Sequence, residues 1–398
     1  MQHRIIVLGA GYSGAIAAGR LAKRLRREDV AITLVNAEPD FVERVRMHQL
    51  AVGQDLKPRP LREMFAGTGV ELKLAKVTSI DVDDKTVAVE SAEGTAELPY
   101  DTLVYALGSA WNDHGVPGVA EHAHQIASRP GALRLRERLS RLAEGETVLV
   151  VGGGLTGLEF VTEVAEARPD LDVVLAARAE LGDWLSPKGR AHLRKVVGGL
   201  GITVHENTAV TAVEADRVAT ADGRTIPAAV TVWTTGFAVH PLAAGTSLEL
   251  ADDGRIVVDA TMRSLSHPDV YAVGDAGHAL GKGDKPLRMS CASGTPMAWQ
   301  AADSIAARLA GGKLPDVPLR YFNQCISLGR KEGLIQFVTA DDRAVDRALT
   351  GRLAARYKEL ICKGAAWSVA NPTLGVPARR RRVVAGQMAS EGTARVAA

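Results

Sequence analysis

Cysteine is scarce: three residues in 398, at positions 291, 325 and 362, with no CxxC pair. That count and spacing exclude a disulfide framework, offer no zinc site and fit a reduced cytosolic compartment. Aromatic residues make up 4% of the chain, so platforms for stacking nucleobases are lacking. Charge of either sign is in no excess, with 48 Lys and Arg against 46 Asp and Glu, a formal net charge of +2. A nucleic-acid protein would show a strong basic surplus. No stretch reaches the roughly 18 uninterrupted apolar residues of a spanning helix. The N-terminal apolar stretch, Ile5 to Ala18, holds Gly9, Gly11 and Gly14 and runs into a charged segment, Arg20 to Asp29. It therefore reads as structure and not as a targeting segment. What remains is ordinary globular chemistry, 46% apolar and 24% charged. At about 150 residues per domain, the length predicts two or three domains.

One device occurs twice. Arg4 to Leu8 is a short β-branched run, followed at once by Gly9-Ala10-Gly11-Tyr12-Ser13-Gly14. Ala15 to Leu25 then has helical spacing, and Ala31 to Val35 is a second β run ending at Asn36. This strand, glycine turn, helix, strand context lifts GxGxxG above a chance match. Gly9 permits the tight turn, Gly11 lets backbone approach a pyrophosphate, and Gly14 lets helix and strand lie close. The helix N-terminus offers unpaired N–H groups to the phosphates. Thr147 to Val151, Gly152-Gly153-Gly154-Leu155-Thr156-Gly157, the helix Leu158 to Ala167 and the strand Asp172 to Ala176 repeat the arrangement.

The duplication extends further. Val70 to Val77 and Thr86 to Val89 read as strands around Asp83-Asp84, leading to Leu103-Val104-Tyr105-Ala106-Leu107-Gly108. In the second half, Ile202 to Val204, Val210 to Glu214 and Val218 to Ala219 lead through Asp222-Gly223 to Val230-Thr231-Val232-Trp233-Thr234-Thr235-Gly236. The expected fold class is α/β: two Rossmann-like dinucleotide-binding domains, each with an antiparallel β addition, plus an α+β C-terminal region. Thr261 to Asp275 is strand-like without a glycine turn of its own, so it completes an earlier sheet. Two such folds imply two dinucleotides, and a protein holding both is most simply an electron relay between them.

These motifs resemble those of the two-dinucleotide-binding flavoproteins, the pyridine nucleotide-disulfide oxidoreductases, and most of all type II NADH dehydrogenases. The two glycine turns, Ala106-Leu107-Gly108, Thr234-Thr235-Gly236 and Val270-Tyr271-Ala272-Val273-Gly274-Asp275 carry the resemblance, over about residues 3 to 310. It implies an FAD domain from 1–112 and 250–312, an inserted NAD(P)H domain at 113–249, and a C-terminal region, 313–398, serving as interface and acceptor site. It implies FAD contacts at Gly9, Ala10, Gly11, Tyr12, Ser13, Gly14, Asn36, Val77, Ala106, Gly108 and Gly274. Asp275 would bond the ribityl chain, and Arg44 in Phe41 to His48 is the expected flavin contact, with Arg46 as substitute. His48 itself reads as a surface or packing histidine. For NAD(P)H it implies Gly152, Gly154, Leu155, Thr156, Gly157, Arg178, Thr235 and Gly236.

Disulfide reductases of this family carry a cysteine pair beside the flavin, but no cysteine occurs here before 291. Flavin alone would take the hydride and pass electrons on. A glutamate matching Glu159 lies near nicotinamide and flavin in type II NADH dehydrogenases. A carboxylate favoured by the helix dipole is the alternative reading of that position. Cys291 falls where a flavin-facing residue would lie and is either a redox participant or a small buried hydrophobe.

The end of each second strand reports cofactor choice, because an acid there binds both ribose hydroxyls and repels a 2′-phosphate. Asn36 is compatible with FAD. Leu175-Ala176-Ala177-Arg178 replaces the acid with alanine and adds a guanidinium, which favours NADPH over NADH.

The quinone-lining glutamine pair of the family is replaced by Pro296 and Met297. Thr295 reads as an N-cap with Pro296 at the first helical position. Met297 and Trp299 read as core or as the roof of an acceptor pocket.

In the tail, Tyr321 to Ser327 and Leu334 to Val338 read as strands and Ala344 to Val369 as one helix. Its cations, with the run Arg379 to Arg382, leave open a peripheral contact with the inner face of the cell membrane, a solvated face or a homodimer. Ala389 to Ala398 reads as disordered. The expected activity is transfer of hydride from NAD(P)H to FAD, then of electrons to a quinone or similar small acceptor. A reductase of a ferredoxin-type partner and a redox-sensing flavoprotein resembling apoptosis-inducing factor are the alternatives. No nucleic acid and no metal are expected.

Overall fold

The computed structural model describes residues 2–373 and 380–384; Arg379 and the stretch from 389 onward, both read above, lie outside the described residues. The first β run forms β1 (His3–Leu8), and α1 (Tyr12–Arg24) starts immediately after Gly11. Lys23 and Arg24 close α1 with positive charge where the helix dipole favours it. β2 (Val30–Asn36) lies parallel to β1, with Ile5 opposite Ile32. A 3-10 turn at Arg44–Arg46, α2 (Met47–Ala51) and α3 (Leu61–Met64) lead to β3 (Val70–Leu74). The antiparallel addition is β4 (Lys76–Asp81), β5 (Thr86–Ser91) and β6 (Gly94–Pro99), after which β7 (Thr102–Tyr105) pairs with β1.

β8 (Ser109–Trp111), α4 (Val119–His122), β9 (Ala123–His124) and α5 (Arg129–Ser140) connect the halves. The second unit repeats the first with β10 (Thr147–Val151), α6 (Leu155–Ala167), β11 (Asp172–Ala176), α7 (Pro187–Gly199) and β12 (Thr203–His205). Its antiparallel addition is β13 (Val210–Val213), β14 (Arg217–Thr220) and β15 (Thr225–Pro227), and β16 (Val230–Trp233) closes on β10. β17 (Phe237–Val239) runs back against β8, and β18 (Ile256–Val257) is a short strand beyond it. β19 (Val270–Ala272) then joins β7, giving the first sheet the order β19-β7-β1-β2-β3. The chain therefore returns to its first sheet after the second is complete. Only this short piece of Thr261 to Asp275 enters that sheet, because the chain turns through Asp259–Arg263 on the Asp259 carboxylate.

β20 (Gly277–His278) pairs with β18 and precedes α8 (Cys291–Leu309), which packs on α1. Alanines on both helices, among them Ala15, Ala18, Ala298, Ala301 and Ala302, are fully buried. The start of α8 departs from expectation. Ser290 is the N-cap, its hydroxyl accepting from Ser293 N, and Pro296 lies inside the helix. Thr295 is therefore not the cap.

The C-terminal layer is β21 (Asn323–Leu328), β22 (Glu332–Val338), β23 (Ala344–Thr350) and α9 (Gly351–Ala370). The single helix expected over Ala344 to Val369 is thus a strand and a helix. Its first seven residues pair with β22, and Gly351, at φ +80°, makes the break. Ile326, Leu328 and Leu334 share one core with Met47, Leu50, Phe160 and Val164, so this layer is anchored on α6 and α2.

Candidate active site

The first glycine turn is shaped for something other than protein. A Cβ on Gly14 would lie 1.8 Å from Gly9 O, whereas one on Gly11 would meet nothing within 4 Å. No side chain caps α1, so its leading N–H groups face this opening. Asn36 Oδ1 accepts from Ala10 N at 2.8 Å, and its Nδ2 donates to Glu38 O, so this amide pins the turn. The Tyr12 hydroxyl is buried without a partner among the described residues, its ring edge-on to Phe41. Ser13 sits beneath Gly274 and Gly294, whose Cβ positions would fall 2.6 and 2.5 Å from its hydroxyl. Thus α1, the turn after β19 and α8 meet at one point.

Beside this point, Ser109 Oγ donates to Asp275 Oδ2 at 2.6 Å, with the Arg44 guanidinium 3.6 Å from the same oxygen and over the Phe237 ring. Burial presses Arg44 below its usual pKa, and Asp275 opposes that. Gly108, at φ +73°, leaves room for this guanidinium. Ala106 flanks Gly9 and Gly14, and Val77 is buried in β4. Arg46 points elsewhere, into Glu43, Glu359 and Gln49. The open position at Gly11, the orphaned Tyr12 hydroxyl and the uncapped helix fit a dinucleotide pyrophosphate.

The second turn repeats the fit. A Cβ on Gly157 would lie 1.9 Å from Gly152 O, and one on Gly154 would meet nothing. Leu155 and Thr156 open α6, again without a side-chain cap. Ala177 packs against Gly153. Arg178 next to it is exposed and makes no hydrogen bond or ion pair among the described residues. The Thr235 hydroxyl is buried without a hydrogen-bond partner among the described residues, and Gly236 lies against His114.

Glu159 is buried and tied to the C-terminal layer. Its Oε1 accepts from Lys358 Nζ at 2.9 Å and from Ser327 N at 3.1 Å. Burial works to raise its pKa, but Lys358, His48 and the Ser327 amide outweigh burial and hold it below the ordinary range. Lys358 also donates to Cys325 O at 3.1 Å. Burial pushes the Cys291 thiol up, with Lys358 opposing and Glu159 and Asp275 adding. These groups therefore share one neighbourhood. All three cysteines are free.

His48 is buried between α2 and α6 instead of lying on the surface. Met297 is core, whereas Trp299 is 46% exposed, so the two line no common wall. Gln300 bonds Ala260 O and Pro315 O. Sequence reasoning missed Ser109, Ser327, Lys358 and Glu163. For Glu163 a signal existed: an acid inside the buried run Val161 to Ala165, one turn after Glu159. A cavity of about 510 Å³ lies along β3 beside Arg27, Arg62 and Phe65, away from both turns. Leu353, Tyr357, Leu360 and Trp367 form an exposed stripe on α9. Among the described residues, no helix is long and apolar enough to cross a membrane.

The family described as pyridine nucleotide-disulphide oxidoreductase matches residues 3–306. An NADH dehydrogenase-like protein of Mycobacterium tuberculosis is 29% identical over 349 residues, covering 82% of this chain and 86% of its own. The type II NADH:quinone oxidoreductase Ndh of the same organism is 27% identical over 367 residues, covering 81% and 76%. The structure of the sulfide:quinone oxidoreductase of Aquifex aeolicus superposes with a TM-score of 0.78 at 21% identity, over 94% of this chain and 92% of that one.

Proposed function

This chain belongs to the pyridine nucleotide-disulphide oxidoreductase family, flavoprotein enzymes that use FAD with NADH or NADPH, and we propose that its electron acceptor is a quinone or a similar small molecule. The observation that carries the reading is the pair of open glycine turns on two parallel sheets, one followed by Arg44, Ser109 and Asp275, the other by Glu159 and Lys358. Bound FAD supplies two-electron redox chemistry that no side chain here can perform.

The chain's own groups then divide the work. The N–H groups at the start of α1, beside Gly11, hold the flavin dinucleotide's pyrophosphate. Arg44, Ser109 and Asp275 hold its ribityl side. The start of α6, beside Gly154, holds NAD(P)H. Lys358 and Glu159 keep a charged, proton-exchanging pair at the edge of the site. On this reading residues 1–112 and 250–312 form the FAD unit and 113–249 the NAD(P)H unit, which the β19–β7 pairing supports. The stripe on α9, flanked by Arg352, Arg356 and Lys363, supports peripheral contact with an anionic membrane surface.

The test is anaerobic. NAD(P)H should bleach the yellow protein, and a quinone panel should restore its colour; bleaching without reoxidation by any quinone removes the acceptor from the reading.

Arg178 supports NADPH as the preferred donor, since its exposed guanidinium follows the end of β11 next to Ala177, which offers nothing to repel a 2′-phosphate. Arg178→Ala is expected to lower kcat/KM for NADPH by roughly 10- to 100-fold, the loss of a charged hydrogen bond of about 1.5–3 kcal/mol. The value for NADH should hardly change. Steady-state kinetics with both donors check this, and a wild type that prefers NADH defeats it.

A further inference from the structure

We propose that His48 and Glu163 form a proton relay that carries protons from solvent to Glu159. The proposal rests on the quinone reading above. Reducing a quinone to its quinol with NAD(P)H consumes one proton per turnover beyond the hydride, and a buried site needs a route for it.

The route is visible in the packing of α2 on α6. Glu159 and Glu163 are four residues apart on α6 and so share one face. His48 lies against that face, with Nδ1 4.0 Å from Glu159 Oε2 and Nε2 3.9 Å from Glu163 Oε2. Both His48 Nε2 and Glu163 Oε2 are buried, and neither has a hydrogen-bond partner among the described residues. Two polar atoms left unpaired in this way cost stability unless they serve each other.

The outer end opens toward solvent. Gln54 Nε2 donates to Glu163 Oε1, and Arg330, 40% exposed, lies 3.9 Å from that oxygen. The inner end is the Glu159–Lys358 pair, next to Cys291 and Asp275.

Protonation states match the geometry. Burial pushes Glu163 up to about 7, so near neutrality it is protonated about half the time. Burial pulls His48 down to about 4, so its ring stays neutral, one nitrogen bearing a proton and the other a lone pair. The charged groups around them are Glu159 and Glu166 on α6, Arg330 in the β21–β22 turn, Lys358 on α9 and Arg46 before α2.

The step balances. The Glu163 O–H bond breaks as Nε2–H forms, and Nδ1–H breaks as a proton reaches Glu159 Oε2. Glu163 is left as carboxylate, Glu159 passes its new proton to the reduced acceptor, and the ring, neutral in its other tautomer, flips about its Cβ–Cγ bond to turn an N–H toward Glu159 again. Solvent returns the proton to Glu163 past Gln54 and Arg330.

Glu163→Gln tests this, because an amide keeps the shape but transfers no proton. Infrared spectra of the purified holoenzyme should show a protonated-carboxyl band that titrates near pH 7 and is missing in the variant. Reoxidation of the pre-reduced enzyme by a quinone should slow at least about tenfold, and its pH break near 7 should vanish. Glu163→Asp should recover part of the rate, and His48→Gln should slow the same step while keeping the band. A wild-type rate and pH profile in Glu163→Gln, or no band lost, overturns the relay. If no quinone reoxidises the wild type, the acceptor reading fails, and the presence or absence of the band still decides the protonation of the pair.

Discussion

Gly14→Ala should yield colourless protein, and Gly157→Ala a yellow protein that NADPH no longer bleaches. The two substitutions are chemically identical and differ only in which turn they damage. A methyl group at Gly14 would lie 1.8 Å from Gly9 O and 3.1 Å from Ala106 Cβ, so α1 must move off β1. At Gly157 the obstruction is Gly152 O at 1.9 Å, with Thr234 Oγ1 at 2.7 Å. Either shift displaces a helix N-terminus by an ångström or more, enough for about a 100-fold loss of positioned binding.

Gly11→Ala separates cofactor from fold. Its Cβ meets no protein atom within 4 Å, so the flavin-free protein should melt as the wild type does while FAD retention is lost. Absorbance of the purified proteins, melting of the flavin-free forms and rapid mixing with NADPH give the three readouts. If Gly11→Ala retains FAD as tightly as the wild type, the pyrophosphate does not sit at that turn.

These glycines were legible because their constraint is local: strand, turn and helix are continuous in sequence, and the turn's chemistry is written in adjacent residues. The return of the chain to its first sheet was legible from the absence of a glycine turn before Val270. The stretch Ala344 to Thr350 was not, because Ala, Arg and Leu favour a helix, whereas pairing with β22 makes it a strand. The start of α8 was misplaced because two caps competed. Ser290 wins through its bond to Ser293 N, at the cost of the helix bond Pro296 cannot donate. Asp275 and Arg44 could be placed through motif and neighbourhood. Lys358 and Ser327 could not, because their partner Glu159 lies far away in sequence and only packing of the C-terminal layer on α6 joins them.

That junction carries the other large expected effect. Lys358→Met should lower stability at pH 7 by about 3–5 kcal/mol, the penalty for a buried charge left without its partner. Both side chains are nearly enclosed, at 16% and 11% exposure, so solvent cannot replace the lost ammonium. Glu159→Gln alone should also destabilise, stranding Lys358 against Cys325 O. The double variant should recover most of the loss, because an uncharged pair demands no compensation.

The pH dependence follows from the two shifts. Glu159 is depressed in the fold from 4.5, so its share of stability is present above 4.5 and is lost as pH falls through the folded value. Glu159 raises Lys358 in the fold above 10.5, against the pull of burial, so that share is full below 10.5 and is lost as pH rises through the folded value. Between these limits the pair contributes in full, and the deficit of Lys358→Met should shrink in acid as Glu159 takes up a proton. Thermal melts of the four proteins of this cycle at pH 7 and pH 4 measure it. A double variant no more stable than Lys358→Met would mean that the lysine acts through its stem packing and not through its charge.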